Sequence, residues 1–325
     1  MTPQNKNQPS IFFVGHIAID TIIRFQKEHT PTLGGSVSFG SLSLRNYTKE
    51  VNISIISHLG SKNFDKSLLS LIKDNFIDIR GVKWSDTHNT NFVLDYFDHS
   101  RRLTLKSRSP NLDFKNIPEP YLNNPPDVIL LAPLCNEISY NYISEITKHF
   151  PNTYIALDLQ GFIRKIDNGH VSIVRDKNIL SITEKIIGLI GNKLILKGSE
   201  EEMKILSGEE ELYKVMEYFH RFESDGLFIM TLGEGGSLII NKNEEILKIP
   251  AFKSRGVVDE TGAGDVYFAI FLYEFIRSDK SWASVKDAAY LASCAASFNV
   301  EQTGPYGFET KPNVIERMNL KNYIS

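Results

Sequence analysis

What most constrains this chain is a rhythm of short, mostly apolar runs that show no alternation of their own. Ile11-Phe12-Phe13-Val14-Gly15 comes first, and similar runs follow at residues 51–56, 128–131, 154–157, 193–196, 227–230 and 237–240. A strand with one face in water alternates apolar and polar residues, so runs like these belong to strands covered on both faces. Between several of them apolar residues recur at helical spacing. Residues 64–76 carry Phe64, Leu68, Leu69, Leu71, Ile72 and Phe76, and residues 138–150 and 200–207 behave alike. Strands that alternate with helices build a parallel sheet, so the chain reads as an α/β protein, doubly wound, with a mainly parallel sheet flanked by helices. Its 325 residues are read as one domain, because α/β units commonly run larger than average.

Two segments break the rhythm. Residues 20–25 and 91–102 alternate polar and apolar side chains with no helix after them, as half-exposed strands do. Together they predict a small accessory sheet, a lid from about residues 19–35 and 89–108 inserted into the core. The proline-rich stretch 110–126 then leads back into the main sheet. No repeat, low-complexity tract or Gly/Ser linker interrupts the chain.

With 36 basic against 39 acidic residues the net charge is −3, which gives no reason for a strong nonspecific grip on nucleic acid or an anionic membrane. A small-molecule partner fits better. Cys135 and Cys294 lie in apolar surroundings and read as buried thiols suited to a reducing compartment, a single disulfide being left open. The polar start and the short apolar stretch ending at Gly15 are too short for a signal or a span, so a cytoplasmic protein is expected.

Chemistry concentrates in three glycine windows. In the first, Gly262-Ala263-Gly264 runs straight into an apolar helix over residues 265–277. Such a turn leaves backbone N–H groups aimed at one point, where the helix dipole adds positive potential and a phosphoryl group is welcome. Asp265, in the first helical turn, is placed to take a proton from an attacking hydroxyl. The residues admit a second reading, in which Asp265 is a capping residue of the kind favoured near any helix start and the glycines only turn the chain. The second window, Thr231-Leu232-Gly233-Glu234-Gly235-Gly236-Ser237, lies between two buried strands. Either its glycines let a flat ligand approach the backbone, or they make a hairpin turn. It is neither a Walker A loop nor a dinucleotide fingerprint, which disfavours a nicotinamide oxidoreductase. In the third, Leu33-Gly34-Gly35-Ser36-Val37-Ser38-Phe39, the diglycine either packs over a polyol or forms a bend.

Taken in order, Gly15 and Asp20, Gly34-Gly35, Thr231-x-Gly233-x-x-Gly236 and Gly262-Ala263-Gly264-Asp265 resemble the PfkB, or ribokinase-like, family of carbohydrate kinases. The resemblance implies a doubly wound sheet with a β lid, with ATP and Mg2+ as donor and metal. It makes Asp265 the base and the amides of Gly262, Ala263 and Gly264 an anion hole. Asp20, Gly34 and Gly35 would hold the substrate, and Thr231, Gly233 and Gly236 the nucleotide. Where many members carry Asn-x-x-Glu near metal and phosphates, this chain has Ser199-Glu200-Glu201-Glu202, which puts Ser199 at the nucleotide and Glu202 at the metal. Phe39 stands where sugar kinases commonly have asparagine. These departures, with residues 90–98, Asp158-Leu159-Gln160-Gly161-Phe162-Ile163-Arg164 and Val300-Glu301-Gln302-Thr303-Gly304, are most similar to the inositol 3-kinases of plants and archaea. Gln160 and Arg164 then join the substrate residues, with service to phosphates or a structural ion pair as other roles for Arg164. The implied partners are ATP and a polyol or sugar, best myo-inositol, and a homodimer through the lid is allowed. Another sugar or nucleoside kinase, or a catalytically silent binding protein on the same fold, are the alternatives.

Overall fold

Along the first strand, Ser10–Val14, Ile11 and Phe13 pack into one hydrophobic core while Phe12 and Val14 pack into another on the opposite face. Side chains alternate across a strand, so a run without polar residues must be covered on both sides. The first core lies under the helices Ser36–Tyr47, Ala263–Arg277 and Trp282–Asn299. The second lies under Tyr140–His149, Lys177–Ile190, Glu200–Ser207 and Leu212–His220. Burying one such phenylalanine contributes about 2 to 3 kcal/mol, which makes the central strands the thermodynamic heart of the fold. The computed structural model describes residues 8–24, 27–28, 31–97, 100–222 and 224–324.

The main sheet has nine strands in the order Leu247–Ile249, Ser237–Ile240, Leu227–Thr231, Leu194–Ser199, Tyr154–Asp158, Val128–Leu131, Ser10–Val14, Asn52–Gly60 and Asp78–Ser85. All neighbours pair in parallel except at one edge, where Leu227–Thr231, Ser237–Ile240 and Leu247–Ile249 pair antiparallel. The chain begins in mid-sheet, winds out to Asp78–Ser85, then winds the other way from Val128–Leu131. The direction reverses between Ser10–Val14 and Val128–Leu131, and the crevice beyond the carboxyl ends there is where open α/β sheets take ligands.

A second sheet of seven strands stands over that end. Its order is Arg164–Asp167, His170–Ile173, Ser100–Ser107, Asn91–Phe97, Ala18–Arg24 and Lys27–Glu28, with Thr32–Gly34 also paired to Ala18–Arg24. The segment expected as one strand over 91–102 is a hairpin of two, and residues 164–173 supply a further hairpin around Asn168-Gly169, a turn signal that the sequence reading passed over. Residues 25, 26, 29, 30, 98 and 99 of the expected accessory segments lie outside the described residues.

Where the second sheet leaves the core, a buried polar knot ties the crossings. His16 bonds through Nε2 to the Pro110 carbonyl at 2.9 Å and through Nδ1 to Thr90 Oγ1 at 2.8 Å. The Glu137 carboxylate accepts from the amides of His16, Leu134 and Cys135. Their donors and acceptors are thereby taken up inside the fold, which is what buried polar groups require.

The helix expected over 64–76 is shorter than its periodicity implied. A 3-10 turn, Lys66–Leu69, leads into Ser70–Asp74, and Phe76 follows at φ 55° with 79% of its surface exposed. It occupies the left-handed position that ends a helix, so it leaves the core it was expected to join. Cys135 and Cys294 are buried free thiols. No helix of the described residues is long and apolar enough to cross a membrane.

Candidate active site

The helix Ala263–Arg277 begins at Gly262, which sits in the left-handed region at φ 82°. A Cβ there would overlap the Phe39 ring, so both the turn and the packing demand glycine. No side chain caps this helix. Ala263 N donates to the Glu260 carbonyl at 3.2 Å, whereas the N–H groups of Gly264 and Asp265 make no backbone hydrogen bond among the described residues. Of the expected anion-hole donors Ala263 is spent in the turn, whereas Gly262, like Gly264 and Asp265, keeps an N–H group with no backbone hydrogen bond among the described residues. Asp265 is not the cap that the second reading made of it.

Asp259 shapes the turn from the side, accepting from Thr261 N at 3.1 Å and Thr261 Oγ1 at 2.8 Å. Tyr96, from the second sheet, meets the same Thr261 hydroxyl at 3.0 Å. One sheet therefore touches the turn that the other positions.

Asp265 keeps some surface toward the crevice, yet protein surrounds it. Burial pushes its carboxyl up from 3.8 to about 6; Lys197 draws it down, Asp158 pushes it up, and the nearby Ser36 hydroxyl and the charge of Arg164 lower it. A carboxylate tuned toward neutrality is suited to move protons near physiological pH.

In front of Asp265 opens a cavity of about 90 Å³ whose lining includes Asp20, Gly35, Ser36, Gln160, Arg164 and Gly262. Gln160 Oε1 accepts from Ser36 Oγ at 3.3 Å, and Arg164 Nη1 donates to the Leu134 carbonyl at 2.9 Å. Phe39, Phe92, Leu94 and Leu103 give the cavity an apolar wall. Gly34 is not part of the lining: a Cβ there would overlap the Asp20 carboxylate, so this glycine makes room for Asp20. Gly35, at φ 90°, starts the helix Ser36–Tyr47. A larger cavity of about 420 Å³, among Tyr154, Lys193, Leu227 and Trp282, lies at the amino ends of the parallel strands, away from the glycine turn.

The residues expected at the nucleotide stand apart from this cavity, on neighbouring strand ends. Ser199 and Thr231 are register partners at the carboxyl ends of their strands. Thr231-to-Ser237 is a hairpin connection, with Gly236 at φ 83° where a Cβ would overlap the Ile249 carbonyl. Gly236 thus serves strand packing, while Gly233, at φ 56°, faces open space. Ser199 caps the helix Glu200–Ser207: its hydroxyl accepts from Glu202 N at 3.3 Å, and Glu202 Oε2 accepts from Ser199 N at 2.8 Å. Burial and then Asp158 push the Glu202 carboxyl up, and Lys197 pulls it down. This leaves one carboxylate with a second oxygen, a hard donor set too small for a complete metal cage. It fits a Mg2+ that keeps its waters and phosphate ligands.

Lys197, Ser36 and Thr261 are site residues that sequence reasoning missed. Lys197 alone left a signal, as the single charge inside the apolar strand Leu194–Ser199.

Residues 46–311 match the sequence pattern of the pfkB family carbohydrate kinases. A nucleoside kinase of Methanocaldococcus jannaschii is 32% identical over 107 residues, a match spanning 33% of this chain and 33% of that protein. Fructokinase from Vibrio cholerae O395, solved with fructose, ADP and a calcium ion, superimposes with a TM-score of 0.77 at 17% identity, covering 97% of this chain and 100% of that one. A pyrophosphate-dependent kinase in the ribokinase family, complexed with a pyrophosphate analogue and myo-inositol, gives 0.74 at 20% identity over 94% and 99%. These likenesses show the fold, ribokinase-like with a mostly parallel sheet and a second small sheet.

Proposed function

This chain belongs to the pfkB family of carbohydrate kinases, and from that premise we propose that it transfers the γ-phosphate of ATP to a hydroxyl of a small polyol, myo-inositol foremost, with Asp265 as the base. The observation that carries the reading is the juxtaposition at the switch-point crevice. A partly exposed carboxylate, raised to about 6, shares a helix start with the amides of Gly262, Gly264 and Asp265, which make no backbone hydrogen bond among the described residues, and faces a cavity lined by Asp20, Gln160 and Arg164.

Asp20, Gln160 and Arg164 offer acceptors and donors to the ring hydroxyls of a polyol without a carbonyl. Asp265 takes the proton of the hydroxyl that attacks. The amides of Gly264 and Asp265 face the charge that develops on the transferred group, a placement that phosphoryl transfer rewards more than any covalent participation. Glu202 would hold Mg2+ through waters, and the ion would supply charge neutralisation at the phosphates. Ser199, Thr231 and Gly233 flank the strand ends where the donor would lie. The second sheet acts as the lid, with Phe92, Leu94 and Leu103 excluding water and Tyr96 meeting Thr261.

The apolar wall of Phe39, Phe92, Leu94 and Leu103 favours a second acceptor class, a nucleoside whose base stacks there. Turnover of a panel of myo-inositol, fructose, ribose and nucleosides, with ATP or pyrophosphate as donor and Mg2+ present, separates the readings. The proposal expects the highest kcat/KM for myo-inositol with ATP. A preference for a nucleoside overturns the acceptor, a preference for pyrophosphate overturns the donor, and no turnover with any pair overturns the enzyme.

A further inference from the structure

Lys197 lies beneath the site with only 6% of its surface exposed. Its Nζ is 2.7 Å from Asp158 Oδ2, and the two residues are register partners on adjacent central strands. A Cβ built on Gly264 would stand 3.3 Å from the same Nζ, and the Phe268 ring is centred 5.7 Å away. The ammonium is therefore wedged against the first turn of the helix that carries Asp265. Taking an ammonium and a carboxylate out of water costs several kcal/mol, and apolar residues of similar volume would serve stability as well or better. Fold stability alone does not account for this pair. Its surroundings do, because Asp158 pairs with the cation directly and the charges of Asp265 and Glu202 also act on it.

We infer that Lys197, tethered to Asp158, is a positioning residue that supplies the fixed positive charge against which Asp265 works as a base. The inference rests on the reading of Asp265 given above. Every element around Asp265 contributes to the balance. Lys197 and Asp158 come from the main sheet, Arg164 and Asp20 from the second sheet, and Ser36 from the helix Ser36–Tyr47; Glu202, from the helix Glu200–Ser207, acts on Lys197 through its charge. Burial disfavours the charged Lys197, yet the three carboxylates outweigh it and hold the ammonium protonated. Lys197 draws Asp265 toward ionisation more strongly than Asp158 opposes it. The two partners act on the base in opposite directions, which separates an electrostatic role from mere packing.

The test follows the 13C carboxyl resonance of Asp265, assigned by its loss in Asp265→Asn, through a pH titration of the full chain. In Lys197→Met the midpoint should rise by about one pH unit or more, the size of effect a neighbouring charge exerts. In Asp158→Asn it should fall, and Lys197→Arg should stay near the original. The acid limb of kcat/KM for the acceptor should move with the resonance. Midpoints unchanged in both Lys197→Met and Asp158→Asn, whatever happens to turnover, overturn the inference. Should Lys197→Met fail to fold, Asp158→Asn decides alone, an unchanged or raised midpoint counting against. Because the resonance is read without turnover, an inactive wild-type protein would sink the kinase reading and leave this test intact.

Discussion

Asp265 changes meaning once its neighbours are known. The string Gly-Ala-Gly-Asp admits both a capping residue and a base, and in the structure Asp265 lies in the first helical turn without making a capping hydrogen bond. Its carboxyl, raised to about 6, has a consequence for stability and one for rate. Between 3.8 and about 6 the folded protein holds this proton more tightly than the unfolded chain. The ionised carboxylate therefore costs stability above that window, and the cost is relieved as pH falls through it. The rate moves the other way, since a base must be ionised. Below pH 6 the kcat/KM for the acceptor should fall about tenfold per unit, with the bend near 6 in a pH profile taken with saturating donor. A bend near 4, the ordinary carboxylate range, would show that burial does not govern this group. Phe39 also gains a plain reason: it packs against Gly262, where any Cβ would collide with its ring.

At the scale of elements, the helix Glu200–Ser207 explains how serine can stand where related kinases carry asparagine. Ser199 closes a capping box with Glu202, and serine and asparagine are equally good helix caps. The exchange preserves the local structure that orients Glu202. Ser199→Ala should lower the unfolding free energy in urea by about 1 kcal/mol, while Ser199→Asn should leave it within about 0.5 kcal/mol. Equal losses in both variants would mean that the hydroxyl serves something other than the cap. The hairpin from Leu227–Thr231 to Ser237–Ile240 carries a similar lesson. Gly236 is needed by the Ile249 carbonyl and Gly233 by its positive φ, so the window expected at the nucleotide is first a turn, with open space only before Gly233.

Over the whole molecule, the parts legible in the sequence are those written in local pattern. The apolar runs of the central strands and the turn at Gly262 required no tertiary knowledge, because burial on both faces and a positive φ each leave a local mark. What stayed hidden depends on partners distant in the chain. The hairpin over 164–173 carries a local mark in its Asn168-Gly169 turn, but its place in the second sheet comes from pairing His170 with Thr104, far away in the chain. Phe76 obeyed helical spacing but fell one step beyond the end of its helix. The Lys197–Asp158 pair, 39 residues apart, could not be seen as a pair until the strands were set side by side. The crevice gathers Asp20, Gln160, Arg164, Asp265 and the amides of the Gly262 turn at one strand end, and the central proposal is that this assembly moves a phosphate onto a polyol hydroxyl. The most direct measurement is phosphorylated product formed from myo-inositol, ATP and Mg2+, followed by 31P NMR for the wild-type protein and for Asp265→Asn, with urea unfolding at pH 8 as a check on the fold. The account predicts inositol phosphate from the wild type, a turnover lower by about three orders of magnitude or more in Asp265→Asn, and a urea midpoint no lower in the variant. Product formed at near wild-type rate by Asp265→Asn would contradict it.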